Sequence, residues 1–206
     1  MTTSSPSLIV ETLTGAAIVP HLPALARLRI TVFREFPYLY DGDEAYEERY
    51  LRTYVEAPQA AVVIARDGGE IVGASTCLPL AAETENVTAP FRERGLPLSD
   101  FFYFGESVLL RPYRGRGIGV AFFEHREAQA RRAGAQYSTF CAVIRAPDDP
   151  RRPPDYVPLD AFWRRRGYTH RPDFVCTMSW KEVGAATESE HRLSFWMKSL
   201  SGAPLP

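Results

Sequence analysis

The residues most able to do chemistry lie between positions 101 and 119. Arg114-Gly115-Arg116-Gly117-Ile118-Gly119 joins an apolar run, Phe101 to Leu110, to a helix-patterned run, Val120 to Arg132. A strand therefore enters a turn with three alternating glycines and leaves it as a helix. Glycines turn tightly and leave the backbone N–H groups uncovered. The first N–H groups of a helix lack intrahelical partners and lie at the positive end of its dipole. Such a turn is suited to phosphate. A P-loop would need Gly-Lys-Ser/Thr after the glycines, and none follows. A dinucleotide fingerprint would need glycine at position 122, which is Phe122, and an acidic end to the next strand, which reads Ala142-Val143-Ile144-Arg145. A second feature lies just upstream. Glu106, between Gly105 and Ser107, is a carboxylate inside an otherwise apolar strand, costly to bury without a task or a partner. It is the candidate general base or water-positioning group; its alternative is an ion pair with an arginine such as Arg145, or an exposed strand end.

Arg114-x-x-Gly117-x-Gly119, after Val108-Leu109-Leu110-Arg111-Pro112-Tyr113, resembles the acyl-CoA-binding motif of the GNAT superfamily of N-acyltransferases. Ala161-Phe162-Trp163-Arg164-Arg165-Arg166-Gly167-Tyr168 resembles the later helix of that family, at a suitable spacing. The resemblance implies acetyl-CoA, or another acyl-CoA, as donor. The N–H groups of Arg114, Gly115, Arg116, Gly117, Ile118 and Gly119 would cradle its pyrophosphate. The backbone of Val108, Leu109 and Leu110 would pair with the pantetheine arm, and one N–H there would polarise the thioester carbonyl. The acceptor would be an amine. An alkyl ammonium has a pKa of about 10.4, so a base such as Glu106 helps to neutralise it. The family often carries a tyrosine four residues before the Gly-aromatic pair as proton donor to the thiolate, and here that position is Trp163. Either Tyr156 takes over as acid, or none is needed because a thiol of pKa about 8.5 leaves as thiolate. Trp163 then reads as a wall of the site.

The resemblance places one side of the acceptor pocket on the early helices and their connection, Phe36 to Asp43. Tyr38 and Tyr40 could stack on or hydrogen-bond an acceptor, and Asp41 and Asp43 could attract a cation; the alternative is a capped, solvated helix start. The Pro-rich loop 145–154 covers the pocket or meets a second subunit, which leaves a homodimer open. Other candidates are weaker. Gly105-Glu106-Ser107 begins like a nucleophile elbow, but Leu109 stands where its last glycine belongs. His125 falls on the apolar face of its helix and reads as a core histidine. His21, His170 and His191 show no ligand spacing, so no metal is expected. Arg164 to Arg166 suit the negative end of their own helix.

The elements that must position these residues read along the chain as follows. Leu8 to Leu13 is a strand, His21 to Phe36 and Asp43 to Val55 are helices, and Ala60 to Ala65 and Ile71 to Leu80 form a hairpin across Asp67-Gly68-Gly69. Glu83 to Asp100 is an irregular connection with a short helix near Val87 to Arg94. The strand Phe101 to Leu110, the helix Gly117 to Arg132 and the strand Tyr137 to Ile144 follow. A short helix opens near Pro158 and is capped by Gly167. Asp173 to Val183 and His191 to Lys198 are closing strands, the second with a helical alternative. The fold class is thus α/β (α+β): one GNAT-like domain over residues 1–206 with a loose tail at 201–206. The resemblance implies a central mixed, mostly antiparallel sheet, splayed between the fourth and fifth strands and flanked by helices.

The whole composition agrees. The chain has 206 residues, 45% hydrophobic and 24% charged, the fractions of a soluble globular domain. No 18-residue apolar stretch stands out, Met1 to Ser7 lacks a leader pattern, and Cys77, Cys141 and Cys176 are unclustered and read as buried thiols. A cytoplasmic protein is expected. Net charge is −1, which gives no general case for nucleic acid or membrane surfaces, yet it is uneven. Residues 1–100 hold 8 Lys/Arg against 14 Asp/Glu, and residues 101–206 hold 16 against 11. The half with the glycine turn is the basic one. The expectation is an N-acetyltransferase acting on a small-molecule primary amine. Its rivals are a non-catalytic acyl-CoA sensor, for which Trp163 is the support, and an acetyltransferase of protein amines.

Overall fold

The computed structural model describes residues 8–206; Met1 to Ser7, expected to carry no leader, lie outside them. The first three strands are β1 (Leu8–Leu13), β2 (Ala61–Asp67) and β3 (Glu70–Pro79), paired antiparallel in that order. Ala61 to Ala65 are buried on both faces of the sheet, which is why β2 reads as a continuous apolar run rather than an alternation. Between β1 and β2 lie α1 (Leu22–Phe33) and α2 (Glu44–Glu56). Helix α1 ends three residues earlier than its apolar spacing suggests, since a residue before Pro37 is pushed out of the helical region. Asp43 caps α2 by accepting from the Tyr46 N–H at 2.9 Å.

The rest of the sheet contains β4 (Phe101–Tyr103), β5 (Ser107–Leu109), β6 (Tyr137–Val143), β7 (Thr169–Lys181) and β8 (Glu188–Ser199), in the spatial order β1-β2-β3-β4-β6-β8-β7, with β5 also on β3. Helix α3 (Glu85–Arg92) precedes β4, α4 (Ile118–Arg132) follows the glycine turn, and α5 (Asp160–Arg165) follows the Pro-rich loop. The sheet is open, mixed and mostly antiparallel, with the β4–β6 pair parallel.

One expectation is corrected here, and the strand reading of His191 to Lys198 holds over its helical alternative. Phe101 to Leu110 is not one strand but two, because Phe104-Gly105-Glu106 forms a break between β4 and β5. The segment His191 to Lys198 is strand and not helix, for Leu193, Phe195 and Met197 enter one core while Trp196 enters the other, a period of two. Strand β7 also starts earlier than expected, at Thr169, and absorbs Pro172 in a register shift between Arg171 and Val175.

Side chains bury on both faces. On one, α1, α2 and α3 cover Leu78, Phe101, Tyr103, Phe174 and Phe195. On the other, α4 and α5 cover Phe102, Phe104, Phe140, Tyr168 and Trp196. The segment Gly15–Phe33 is long and apolar enough, by length and composition, to cross a membrane, a stretch the sequence reading passed over. Here it is a short 3-10 turn followed by α1, and Ile18, Leu22, Leu25 and Ala26 lie in the core.

The splay positions the site. β4 pairs with β6 through Phe101↔Tyr137 to Tyr103↔Thr139, and the Phe104 N–H still donates to the Thr139 carbonyl at 2.8 Å. Beyond Phe104 the chain keeps β3 as a partner and loses β6: Gly105 N–H donates to the Thr76 carbonyl and Thr76 N–H to the Glu106 carbonyl, both 3.1 Å. From there β5 pairs with β3 alone and β6 with β8 alone, which opens a gap between β5 and β6.

Candidate active site

Gly117 is the N-cap of α4, with φ +84°, and Gly115 has φ +77°; both lie in the left-handed region that favours glycine. Nothing lies within 4 Å of where a Cβ would stand on either residue, so the face of the turn is open. A Cβ on Gly119 would stand 3.5 Å from the Phe162 ring. A glycine turn leading into a 15-residue helix with an open face fits a pyrophosphate. The Arg114 side chain is occupied elsewhere: it donates to the Leu109 carbonyl and to Glu35, each at 3.0 Å, and Arg111 reaches the same Glu35 at 3.3 Å. Glu35 thus ties the end of α1 to the turn. Arg116 stacks over the Tyr113 ring.

The strand beside the gap divides its backbone by alternation. Leu110 N–H donates to the Val72 carbonyl, and Thr76 N–H to the Glu106 carbonyl, so residues 106, 108 and 110 face β3. The backbone groups turned toward the gap are those of Ser107 and Leu109. Of the three residues expected to pair with a pantetheine arm, Leu109 faces the gap, and Val108 and Leu110 are used by the sheet. Ser107, read as an ordinary strand serine, joins Leu109 there.

Glu106 stands on the break itself, 8% exposed. Its N–H donates to Thr76 Oγ1 at 3.2 Å, and its carbonyl accepts from Arg126 Nη1 at 3.1 Å as well as from Thr76. Arg126 reaches it from α4 between the Phe104 and Phe123 rings. Gly105 allows the arrangement, since a Cβ there would lie 2.3 Å from Tyr54 Oη and 2.6 Å from Thr76 Oγ1. The carboxylate is paired, as the alternative reading foresaw, but with Arg29 of α1 and not Arg145. Arg29 also binds Glu47 of α2, and its guanidinium lies over the Tyr50 ring at 4.4 Å. Burial would lower the Arg29 pKa, but Glu106, Tyr50 and Glu47 outweigh it and hold the group well above its ordinary value. The second Glu106 oxygen accepts from the Tyr50 hydroxyl at 3.3 Å, and Tyr50 meets Tyr54 at 2.9 Å.

Sequence reading missed Arg29, Glu47, Tyr50 and Tyr54. There was a signal: Arg29 shares the buried stripe of α1 with Leu22, Leu25 and Ala26, and Glu47 shares that of α2 with Leu51 and Tyr54. A charge on an apolar stripe needs a partner.

Glu83 was missed as well. It follows the end of β3, is partly buried, and keeps one backbone partner, the Thr84 N–H at 3.2 Å. Burial first and the charge of Glu106 second push its carboxyl up to about 7, with the Thr84 N–H opposing them.

The Phe36–Asp43 connection and the loop after β6 meet over this network. Tyr38 packs on Phe33 and Trp180, and burial, followed by Cys141 and Glu106, raises its phenol. Tyr156 packs edge-on against Phe36 with ring centroids 4.7 Å apart, and burial raises its pKa too. Arg145 fastens the two segments, donating to the Pro37 and Tyr38 carbonyls while pairing with Glu182 at 2.5 Å. Tyr40 and Asp41 lie farther out, in a cleft of about 240 Å³ with Asp43, Tyr46, Trp180 and Lys181. Asp41 is already neutralised by Lys181 and Arg34, both at 3.0 Å, which hold its carboxyl below the usual range. Its charge is therefore not free for a cation. Trp163 sits on the opposite face of the sheet from Tyr38, packed on Phe140 and Trp196, and is brought together with the glycine-turn side. His125 accepts or donates at Thr12 Oγ1, 2.8 Å away, and the three cysteines are buried and free.

No curated protein matches the sequence. Solved structures match the fold closely despite low identity. The YncA acetyltransferase of Salmonella typhimurium, solved with acetyl-CoA, aligns over 97% of this chain and 98% of its own at 12% identity, with a TM-score of 0.59. A ribosomal-protein-alanine N-acetyltransferase from Brucella melitensis aligns over 93% and 99% at 16% identity and 0.60. A polyamine N-acetyltransferase from Drosophila melanogaster aligns over 94% and 100% at 14% identity and 0.60. The model of the acetyltransferase (GNAT) family matches residues 25–153, more than half of the sequence, and with the open turn and the splayed sheet already in view, the chain belongs to that family.

Proposed function

We propose that the protein transfers an acetyl group from acetyl-CoA to the primary amine of a small molecule, by direct attack of the amine on the thioester. The observation that carries this is the gap between β5 and β6, with the open glycine turn on one side and the buried Glu106–Arg29–Tyr50 network on the other. Acetyl-CoA supplies the activated acyl group. The N–H groups of residues 114–119 hold its pyrophosphate, and Ser107 and Leu109 offer backbone groups to the arm and the thioester oxygen. Glu106, locked on two sides, serves as a fixed acceptor that orients the amine or its water. Tyr38, Tyr50 and Tyr156 give the acceptor side aromatic walls, and the fastened loops narrow it, which favours a small amine over a protein segment. The neighbour solved with acetyl-CoA and the polyamine N-acetyltransferase support this reading.

The test is thiol release from acetyl-CoA across a panel of primary amines, with CoA binding measured by calorimetry. Amine-dependent release is expected. Glu106→Gln should lower kcat by about 10² with CoA affinity nearly unchanged; an unaltered kcat in that variant removes Glu106 from the reaction, and CoA binding without release under any amine favours the sensor role.

A further inference from the structure

Arg126 is a cation buried within α4 that lacks a counter-charge. It is 2% exposed, and among the described residues no carboxylate stands within ion-pair distance of it. Glu127, its neighbour on α4, is held by Lys198 at 2.7 Å and Arg131 at 3.4 Å, and the Glu106 carboxylate is held by Arg29. Burial lowers the Arg126 pKa, yet a guanidinium stays charged near pH 7. Such a charge is costly to bury without a task. Packing alone asks for none, since the Phe104 and Phe123 ring centroids flank the Arg126 Cζ at 4.5 and 4.7 Å. Its Nε stays within the helix, donating to the Phe122 carbonyl at 3.3 Å, while Nη1 reaches out to the Glu106 carbonyl at 3.1 Å. The Thr76 N–H donates to the same oxygen from β3, also at 3.1 Å. Two donors thus fix the Glu106–Ser107 peptide, which is trans. A trans peptide carries its C=O and N–H on opposite sides. Holding the oxygen toward β3 and α4 therefore aims the Ser107 N–H into the gap between β5 and β6.

We infer that Arg126 is a positioning residue for acyl transfer: through the Glu106–Ser107 peptide it aims the Ser107 N–H at the thioester oxygen and strengthens it as a donor. This rests on the acetyl-CoA reading above. From the glycine turn, β5 leads back four residues from Leu110 to Glu106, and α4 leads on nine from Gly117 to Arg126. At about 3.3 Å per strand residue and about 1.5 Å per helical residue, each path covers about 13 Å. The two paths converge at the hydrogen bond between Arg126 and the Glu106 carbonyl. The pantetheine arm counts about as many bonds as four residues of extended backbone. An arm that starts at the turn and lies along β5 therefore brings its thioester to Ser107. There the amine lone pair forms the C–N bond, and the carbonyl π pair moves onto oxygen, where the Ser107 N–H holds it. As the C=O re-forms, the C–S bond breaks and its electron pair leaves on sulfur. The nitrogen sheds its surplus proton to Glu106 or to a water on it, and the thiolate takes one from solvent. A cation on a peptide carbonyl polarises that peptide, which makes its N–H the stronger donor.

Isotope-edited infrared spectroscopy of the full chain tests it without an acceptor. Acetyl-CoA labelled with carbon-13 at the thioester carbonyl should show its C=O stretch at lower frequency bound than free. Arg126→Met and Arg126→Gln should each remove at least half of that downshift, and Arg126→Lys, which keeps the charge, should restore part of it. Either neutral variant decides if the other does not fold. A downshift as large in the neutral variants as in the unaltered protein overturns the assignment, and so does an unshifted stretch in the unaltered protein with acetyl-CoA bound. In turnover with putrescine, tyramine or benzylamine, the neutral variants should lower kcat about 10- to 100-fold and leave the KM for acetyl-CoA unchanged. A loss confined to KM overturns it. Failure of the two readings is distinguishable: no acetyl-CoA binding by the unaltered protein sinks the acetyltransferase reading, whereas normal turnover with an unshifted thioester sinks this one alone. If none of the three amines reacts, the infrared comparison still decides.

Discussion

At the scale of single residues, the molecule separates charges that matter from charges that do not by burial. Arg29 is 9% exposed and serves two buried carboxylates, Glu47 at 1% and Glu106 at 8%. Removing it would leave two negative groups desolvated and unpaired, the costly case for a buried ion pair. Arg29→Gln should therefore lose about 3 kcal/mol or more in denaturant unfolding. Arg34, whose bond to Asp41 lies at the surface with Lys181 also on Asp41, gives the contrast. Arg34→Gln should change stability by less than about 1 kcal/mol, as exposed pairs do. Equal losses in the two variants would mean that the Arg29 network is not a buried unit.

At the scale of elements, one turn and one short helix deserve separate tests because they act differently. Gly117 needs its left-handed conformation and an uncovered N–H, not internal space. Gly117→Val should abolish CoA binding in calorimetry through backbone strain and a shielded turn, with the Tm lowered modestly. Normal CoA affinity would remove the turn from the site. Helix α3 was legible only as a vague helix within an irregular connection, yet Phe91 on it is fully buried against Phe101, Phe174 and Phe195. Phe91→Ala should cost about 3–5 kcal/mol by cavity formation, read as a lower denaturation midpoint. A loss below 1 kcal/mol would show that this face of the sheet can collapse around the gap.

At the scale of the whole molecule, the acceptor side is assembled from segments distant in sequence. Arg145 joins the loop after β6 to the Pro37 and Tyr38 carbonyls and to Glu182 at the end of β7, and Arg151 adds a second contact to Glu182. With the Arg145 side chain mostly buried, the fastening is stronger than a surface pair. Arg145→Ala should speed proteolysis within residues 145–159 and raise the KM for the amine severalfold, while CoA affinity holds. A fall in CoA affinity of similar size would show that the loop belongs to the donor side.

The sequence by itself determined what depends on local pattern. Alternating glycines before a helix-patterned run specified the turn, and continuous or alternating apolar runs specified most strands. These are nearest-neighbour effects and survive without tertiary context. The lone Glu106 in an apolar strand announced that a partner was needed, but not which one, because ion pairing depends on distance in space. Only the tertiary structure chose Arg29 over Arg145 and neutralised Asp41 with Arg34 and Lys181. It also split one apolar run into β4 and β5, since the loss of β6 as a partner at Gly105, with β3 kept, is a property of three strands together. Backbone turns are written locally; the electrostatics of a site are set by which distant side chains the fold buries side by side.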